Sequence, residues 1–403
     1  MKKISALILC LILLTAALAE GITIPDVTVK QFDIPDNEAM TFVSGIRAGW
    51  VLGNTFDAYD NGWLNKNDPL AAETYWCGAK TTEALIEELH AAGFNAIRIP
   101  VSWHDHVDEN FVIEEAWLNR VKQVAQWALD RDMYVIVNVH HDNAADFGYF
   151  RRGSAGNACF YPDSDHYEQS AAYLSAIWTQ MAEAFKDCDE HLMLESMNEP
   201  RLTNTSYEWY FDPNAPECLD AMDCINRLNQ LFVDTVRATG GNNETRYLLV
   251  PAYDAGVEGA LSDYFQLPED PLNPETAHVV VECHAYTPYD FALNLNGTAA
   301  YSLDVQKDKS DIALFMNSLY NRYIANGIPV LIDEYGALNK ENLQARVDFA
   351  AYYNASARGR GMRCFWWDNN AVRGNGELFG LIDRKTLTWV FPEIRDAIIQ
   401  YSR

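Results

Sequence analysis

Eight short runs rich in Val, Ile and Leu recur along the 403 residues, and stretches of helical spacing separate them. They lie at Ile46 to Leu52, Ala96 to Ile99, Tyr134 to Val139, Leu192 to Met197, Tyr247 to Pro251, Val279 to Cys283, Pro329 to Ile332 and Arg363 to Trp367. Strand and helix in alternation form a parallel sheet, because parallel neighbours need crossover connections. Eight is the number that closes such a sheet into a barrel. Between the runs, Leu85, Leu89 and Ala92 recur at i, i+4 and i+7, bounded by the capping candidate Thr82 and the stop Gly93. Trp117, Val121, Val124 and Ala128 repeat the spacing, as do Leu174, Ile177 and Met181, then Ile225, Leu228 and Phe232, then Ile312, Phe315, Leu319 and Tyr323. These faces are read as packing against strands. The length would permit two or three average domains, yet no repeat or low-complexity linker divides the chain. The predicted fold is a single α/β domain, a (β/α)8 TIM barrel over residues 36–403.

Residues 1–19 read as a secretion signal, with Lys2 and Lys3, an apolar run from Ile4 to Ala17, and Ala17-Leu18-Ala19 before Glu20. The run is short for a bilayer span. Residues 20–35 show no helical period and form an N-terminal leader. The mature protein is expected in an extracellular or periplasmic space, off the membrane and monomeric. The 57 Asp and Glu against 30 Lys and Arg give a net charge of −27, and removing Lys2 and Lys3 with the signal makes it −29. That balance excludes general nucleic-acid binding, which needs cations to displace phosphate counterions, and it favours a neutral partner. Seven cysteines remain after Cys10 leaves with the signal, so at least one thiol stays free. Cys218 and Cys224 flank a short acidic segment and are candidates for a disulfide, while Cys283 and Cys364 are read as buried apolar filling. No CxxC pair suggests zinc, and no cofactor is expected.

In such a barrel the chemistry lies at the C-terminal ends of the strands. There the chain carries Gly53-Asn54-Thr55, Arg98, His140-His141-Asp142, Asn198-Glu199-Pro200, His284 with Tyr286, Asp333-Glu334-Tyr335-Gly336, and Trp366-Trp367-Asp368. Pro200 biases Glu199 towards extended backbone at a strand end. Alternation would put Val330, Ile332 and Glu334 on one inward face. Two carboxyl groups from strands four and seven then converge across the mouth. Glu195, lower on the strand, is expected in a structural ion pair.

The runs Gly49 to Ala58, Ala92 to Pro100 and Met197-Asn198-Glu199-Pro200-Arg201 resemble glycoside hydrolase family 5, in its endoglucanase and xyloglucanase branch, subfamily 4. His140-His141-Asp142-Asn143, His284 to Tyr289, Glu334-Tyr335-Gly336, Trp366 to Asn369 and Phe379 to Arg384 continue the resemblance in order to the C-terminus. The resemblance implies a retaining endo-β-1,4-glucanase acting on soluble β-glucans such as carboxymethyl cellulose, mixed-linkage glucan or xyloglucan. It assigns Glu199 as acid/base and Glu334 as nucleophile, with carboxyl groups about 5 to 5.5 Å apart. Arg98 would hold Glu334 as the anion, Tyr286 would hydrogen-bond it, Asn198 would grip the sugar 2-hydroxyl, and His140 and His284 would position carboxylates and hydroxyls. Trp367 would be the aromatic floor and Trp366 would point away. Asn54, His141, Trp76 and Trp209 are candidates for binding sugar, with Trp50 and Trp103 as further subsite candidates.

The chain departs from the family pattern at Trp76-Cys77-Gly78-Ala79, where Trp-Gly-Asn-Pro is usual, and at Asp333, where Gly is commoner. Alternation should turn Asp333 away from the sugar. Three other readings stand beside this one. The first is a mannanase of the same family. The second is a carbohydrate-binding barrel without catalysis, against which both glutamates argue. The third is a metal-dependent barrel hydrolase using His104-Asp105-His106, His140, His141, Asp142, His284 and Asp368. No binding module follows the barrel in the sequence, so affinity is expected from the cleft.

Overall fold

Every apolar run becomes a strand of one closed parallel barrel. The computed structural model describes residues 21–60, 62–143, 159–274 and 278–403, so the signal at 1–19 lies outside the described residues. Strands Ala48–Leu52 (β1), Ala96–Ile99 (β2), Tyr134–Val137 (β3), Leu192–Glu195 (β4), Leu248–Val250 (β5), Val279–His284 (β6), Val330–Tyr335 (β7) and Arg363–Asp368 (β8) pair in chain order. The barrel closes where Ala48 to Leu52 run parallel to Cys364 to Asp368.

Helices form where the apolar period is helical and the ends find partners. In Glu83–Ala92 the Thr82 side chain accepts from the Leu85 N–H, and Gly93, at φ 108°, ends the helix in a conformation that a β-carbon would strain. The stripes on Glu115–Leu129, Tyr167–Ala184 and Pro216–Ala238 are all buried between barrel and helices. On Gln306–Arg322 the buried face is Ile312, Met316 and Leu319, with Phe315 only partly covered. Residues 21–35 hold no helix or strand. They lie along Leu343–Arg358 and Pro392–Ser402, with the Val27 N–H donating to the Tyr401 hydroxyl (2.9 Å) and the Phe32 N–H to the Gly359 carbonyl (2.9 Å).

The barrel interior is layered, and the layers decide where chemistry is possible. Val51, Ala96, Ile136, Met193, Leu249, Val280, Leu331 and Phe365, one from each strand, make an apolar plug. Below it, helix Glu38–Gly45 closes the N-terminal end through Ala39 and Val43, and Phe42 stacks on Tyr247 at 3.8 Å. Above it the interior turns polar, with Arg98, Asn138, Glu195, Glu282 and Asp333 all buried.

Two expectations about these elements fail. Val330 and Ile332 face the helices together with Tyr335, while Leu331 faces the barrel axis, so they do not share an inward face with Glu334. Register shifts between Glu282 and His284 on β6, and between Ile332 and Tyr335 on β7, break the alternation. As a result Asp333 and Glu334 both reach Arg98, at 3.3 and 3.0 Å, with Asp333 in the fully buried layer. The Cys218–Cys224 disulfide also does not form. Both residues lie on helix Pro216–Ala238, and the seven described cysteines are free. Six helical residues rise about 9 Å, beyond the Cα separation of a disulfide. Cys283 and Cys364 are buried, as expected.

Candidate active site

Arg98 anchors the polar layer. Its Nε and Nη2 donate to the Glu195 carboxylate at 2.7 and 2.6 Å, Nη2 also donates to Asn198 Oδ1 at 2.8 Å, and Nη1 donates to Glu334 Oε2 at 3.0 Å. A guanidinium fork with two charge-assisted bonds to one carboxylate holds the side chain in a single pose. Glu195 is thus the structural partner that its position on β4 suggests. Asn138 donates to Glu195 Oε1 at 2.8 Å and its amide nitrogen lies 3.1 Å from His140 Nδ1.

The two glutamates meet above this layer. Tyr286 donates its hydroxyl to Glu334 Oε1 at 2.7 Å. Burial, then the Glu334 charge, pushes the Tyr286 hydroxyl well above its ordinary range, so it remains a donor. His284 Nδ1 lies 2.8 Å from Glu199 Oε1, and Arg201 Nη1 lies 3.6 Å from Glu199 Oε2. One oxygen of Glu199, one of Glu334 and a His284 ring nitrogen are all within 4.8 Å of one another. Burial opposes a charge on His284, but Glu334 and the bond to Glu199 outweigh it and hold the imidazole up to about 9. His140 goes the other way: burial, then the neighbouring cationic groups, push it well below its ordinary value.

Aromatic surfaces border this centre. Trp367 is 9% exposed, and its ring lies so close to Gly53 that a β-carbon there would stand 2.7 Å from it. His140 lies parallel to Trp367 with centroids 6.0 Å apart. Trp366 points away, buried, with Nε1–H donating to the Phe379 carbonyl. Trp76 is half-buried beside Tyr59 (4.8 Å) and His141 (5.6 Å). Asn54 adopts left-handed backbone, and its N–H donates to Asp57 Oδ2 at 2.9 Å. Trp209 is 60% exposed, with the Arg201 guanidinium 4.0 Å over its ring. Trp50 and Trp103 are fully buried, Trp103 donating to the Asn138 carbonyl, so they are packing and not subsites.

The other imidazole and carboxylate residues serve as internal fasteners. His104 Nδ1 lies 2.9 Å from Asp142, which also accepts from the Tyr173 hydroxyl (2.6 Å) and the Trp103 N–H (3.0 Å). Asp368 accepts from the Leu381 N–H at 2.7 Å and from Arg384 at 3.1 Å. Among the described residues, no cluster of converging ligand atoms includes His104, His106, Asp142 or Asp368. Asp57 converges with His140 and His141, but its oxygens already accept the Asn54 and Thr55 N–H groups.

Several residues at this mouth carried no sequence signal. Burial, then the charges of Glu334 and Glu199, raises Glu377 in the loop after β8. Asp254, in left-handed backbone after β5, is raised to about 7 by burial and then by Glu199. Both sit in loops whose direction no periodicity encodes.

The model of the family described as cellulase (glycosyl hydrolase family 5) matches residues 61–373. Cellulase/esterase CelE of Acetivibrio thermocellus is 36% identical over 422 residues, covering 99% of this chain, and Endoglucanase A of Clostridium longisporum is 36% identical over 363 residues, covering 90%. The chain spans 47% and 65% of the lengths of these two relatives. Among solved structures, the glycoside hydrolase family 5 lichenase of Caldicellulosiruptor sp. F32, a mutant in complex with cellotetraose, is 48% identical with a TM-score of 0.89, covering 94% of this chain and 100% of that one. With the model matched over more than half its length and the same eight-stranded barrel beneath the match, this chain belongs to glycosyl hydrolase family 5.

Proposed function

We propose that the chain is an exported, retaining endo-β-1,4-glucanase of soluble β-glucans, with Glu334 as nucleophile and Glu199 as acid/base. The observation that carries this reading is the pairing of the two glutamates. Their nearest oxygens lie within 4.8 Å at the mouth of the barrel. An inverting enzyme needs roughly 6.5 to 9.5 Å between carboxyl groups for its water. The two carboxyl groups also have different partners. Glu334 has Arg98 on one oxygen and the Tyr286 hydroxyl on the other, which favours the anion that attacks the anomeric carbon. Glu199 has His284 Nδ1 2.8 Å from Oε1, a ring nitrogen within reach to exchange a proton with the carboxyl.

In the first step Glu199 donates its proton to the glycosidic oxygen while Glu334 forms the glycosyl ester. In the second, Glu199 as carboxylate takes a proton from water, which attacks the same carbon and releases Glu334. Asn198 has its Oδ1 committed to Arg98, leaving its N–H2 for the sugar 2-hydroxyl. Trp367 covers the apolar C–H face of a pyranose, with Asn54, His141, Trp76 and Trp209 as further sugar contacts. Export rests on the sequence at 1–19, and none of the described helices is long and apolar enough to cross a membrane.

A panel of carboxymethyl cellulose, mixed-linkage glucan, xyloglucan and mannan, with anomers followed by NMR, tests the reading. The expected result is internal cleavage of the glucans, with viscosity falling before reducing ends accumulate and the β-anomer formed first. Initial α-anomer, disaccharide release from chain ends, or a preference for mannan would overturn it.

A further inference from the structure

The layer beneath the two glutamates holds more acid than base. Glu195 from β4, Glu282 from β6 and Asp333 from β7 are all fully buried, and one oxygen of each lies within 4.8 Å of the others. Arg98 from β2 is the guanidinium among them, already bonded to Glu195 and Glu334, with Nε 3.3 Å from Asp333. His284, one step up on β6, has Nε2 3.9 Å from Asp333 Oδ1. The remaining strands face the cluster with groups that do not ionise there: Asn138 after β3, Leu249 on β5, Val51 on β1 and Trp367 on β8. His140, above Asn138, is held neutral.

Glu282 is the unusual member. Among the described residues, no N–H or hydroxyl donates a hydrogen bond to either of its oxygens, nor to either oxygen of Asp333. A buried carboxylate without a donor is strongly disfavoured, and two in contact are worse. One proton resolves both problems, because the O–H of one acid can then bond the carboxylate of the other. Burial, then the charges of Glu195 and Asp333, pushes Glu282 well above its ordinary range. Asp333 is raised by burial but opposed by Arg98, reaching about 6. The proton therefore belongs on Glu282.

We propose that Glu282 and Asp333 share one proton, Glu282 donating to the Asp333 carboxylate, and that the pair is a positioning device for Glu334. It bridges β6 and β7 at the two register shifts that bring Glu334 to the mouth. It also limits the pair to a single negative charge beside that of Glu195, so that the guanidinium remains available to Glu334. This role rests on reading Glu334 as the nucleophile.

Glu282→Gln keeps the shape and replaces the O–H donor with an amide N–H, leaving the pair's charge unchanged. The double variant Glu282→Gln/Asp333→Asn removes that charge. Near neutral pH the infrared difference spectrum of wild type minus Glu282→Gln should show one protonated-carboxyl C=O band, whereas the bands of Glu199 and Asp254 are common to both proteins and cancel. In Asp333→Asn the band should remain but shift, because burial keeps Glu282 protonated and its O–H then bonds a neutral amide oxygen, so this variant reads the same bond should Glu282→Gln not fold. Glu282→Gln should keep kcat/KM within about twofold and its pH limbs in place. The double variant should move the acidic limb of kcat/KM down by about half a unit or more, since less negative charge nearby lets Arg98 hold Glu334 ionised at lower pH.

A difference spectrum without that band overturns the shared proton. So does an acidic limb that falls as far in Glu282→Gln as in the double variant, because that means a charge was removed. A lost band with an unmoved limb in the double variant overturns the positioning role. Turnover retained by Glu334→Gln would refute the nucleophile assignment and leave the infrared result standing, which separates the two failures.

Discussion

Glu334 sits between a guanidinium and a phenol that each hold one carboxylate oxygen, a setting that an amide can occupy without reacting. Glu334→Gln should therefore lower kcat by about a thousandfold or more while leaving the circular dichroism spectrum and melting temperature close to wild type. Retention of more than a tenth of the activity would contradict the assignment. Glu199→Ala removes the proton donor and should cripple hydrolysis of polymer. Aryl glycosides, whose leaving groups need little protonation, should still glycosylate the enzyme, and added azide should trap a β-azide. Equal loss of the first step on both substrate types would show that Glu199 is not the acid. Away from the centre, His104 contributes to stability. Burial lowers it, but the bonds to Asp105 and Asp142 raise it from 6.5 to about 9. A group with a raised folded pKa stabilises fully below its unfolded value and loses that contribution as pH rises through the folded one. His104→Ala should thus cost about 3 kcal/mol at pH 6, and the gap from wild type should shrink between pH 6.5 and about 9 in denaturant titrations. A gap independent of pH would mean that packing alone is lost.

At the scale of elements, the ends of β6, β7 and β8 decide the geometry. The shifts on β6 and β7 aim Glu282 from one strand and the adjacent Asp333 and Glu334 from the other at Arg98 and its neighbours, where a regular β7 would have turned one of the last two away. Next along the barrel, β1 approaches β8 so closely at Gly53 that the Trp367 ring occupies the space of a side chain. Gly53→Ala should tilt that ring, costing about 1 to 3 kcal/mol of stability and raising KM for oligosaccharides more than it lowers kcat. Steady-state kinetics on a soluble oligomer, with tryptophan fluorescence to follow the ring, would check this. An unchanged KM would show that Trp367 is not the floor.

For the whole molecule, the net charge of −27 sets long-range behaviour towards polymers. An anionic enzyme repels carboxymethyl cellulose, and salt screens that repulsion over about 10 Å at 0.1 M. The value of kcat/KM on carboxymethyl cellulose should therefore rise several-fold from low to moderate salt, while that on neutral mixed-linkage glucan stays flat. Equal responses to salt would place the negative potential away from the cleft.

The alternation of eight apolar runs with capped amphipathic stripes was enough to specify the barrel, and the order of strand-end residues was enough to nominate Glu199, Glu334, Arg98, His284 and Tyr286, because both signals are local and repeat at known periods. What each side chain faces was decided elsewhere. The inward turn of Glu334 depends on a bulge that two neighbouring strands impose, so a period of two read along β7 alone assigned Val330 and Ile332 to the wrong side. Trp50 and Trp103 look no different in sequence from Trp76 and Trp209, yet the helices and loops packed over them bury the first two completely. Cys218 and Cys224 read as a pair until one helix carries both. Glu282 reads as one more residue of a strand until the barrel closes and leaves it beside Asp333 with no donor to it among the described residues. Local sequence encodes period and propensity, whereas register, burial and charge proximity are set by residues brought together from far along the chain, and only the closed barrel brings them together.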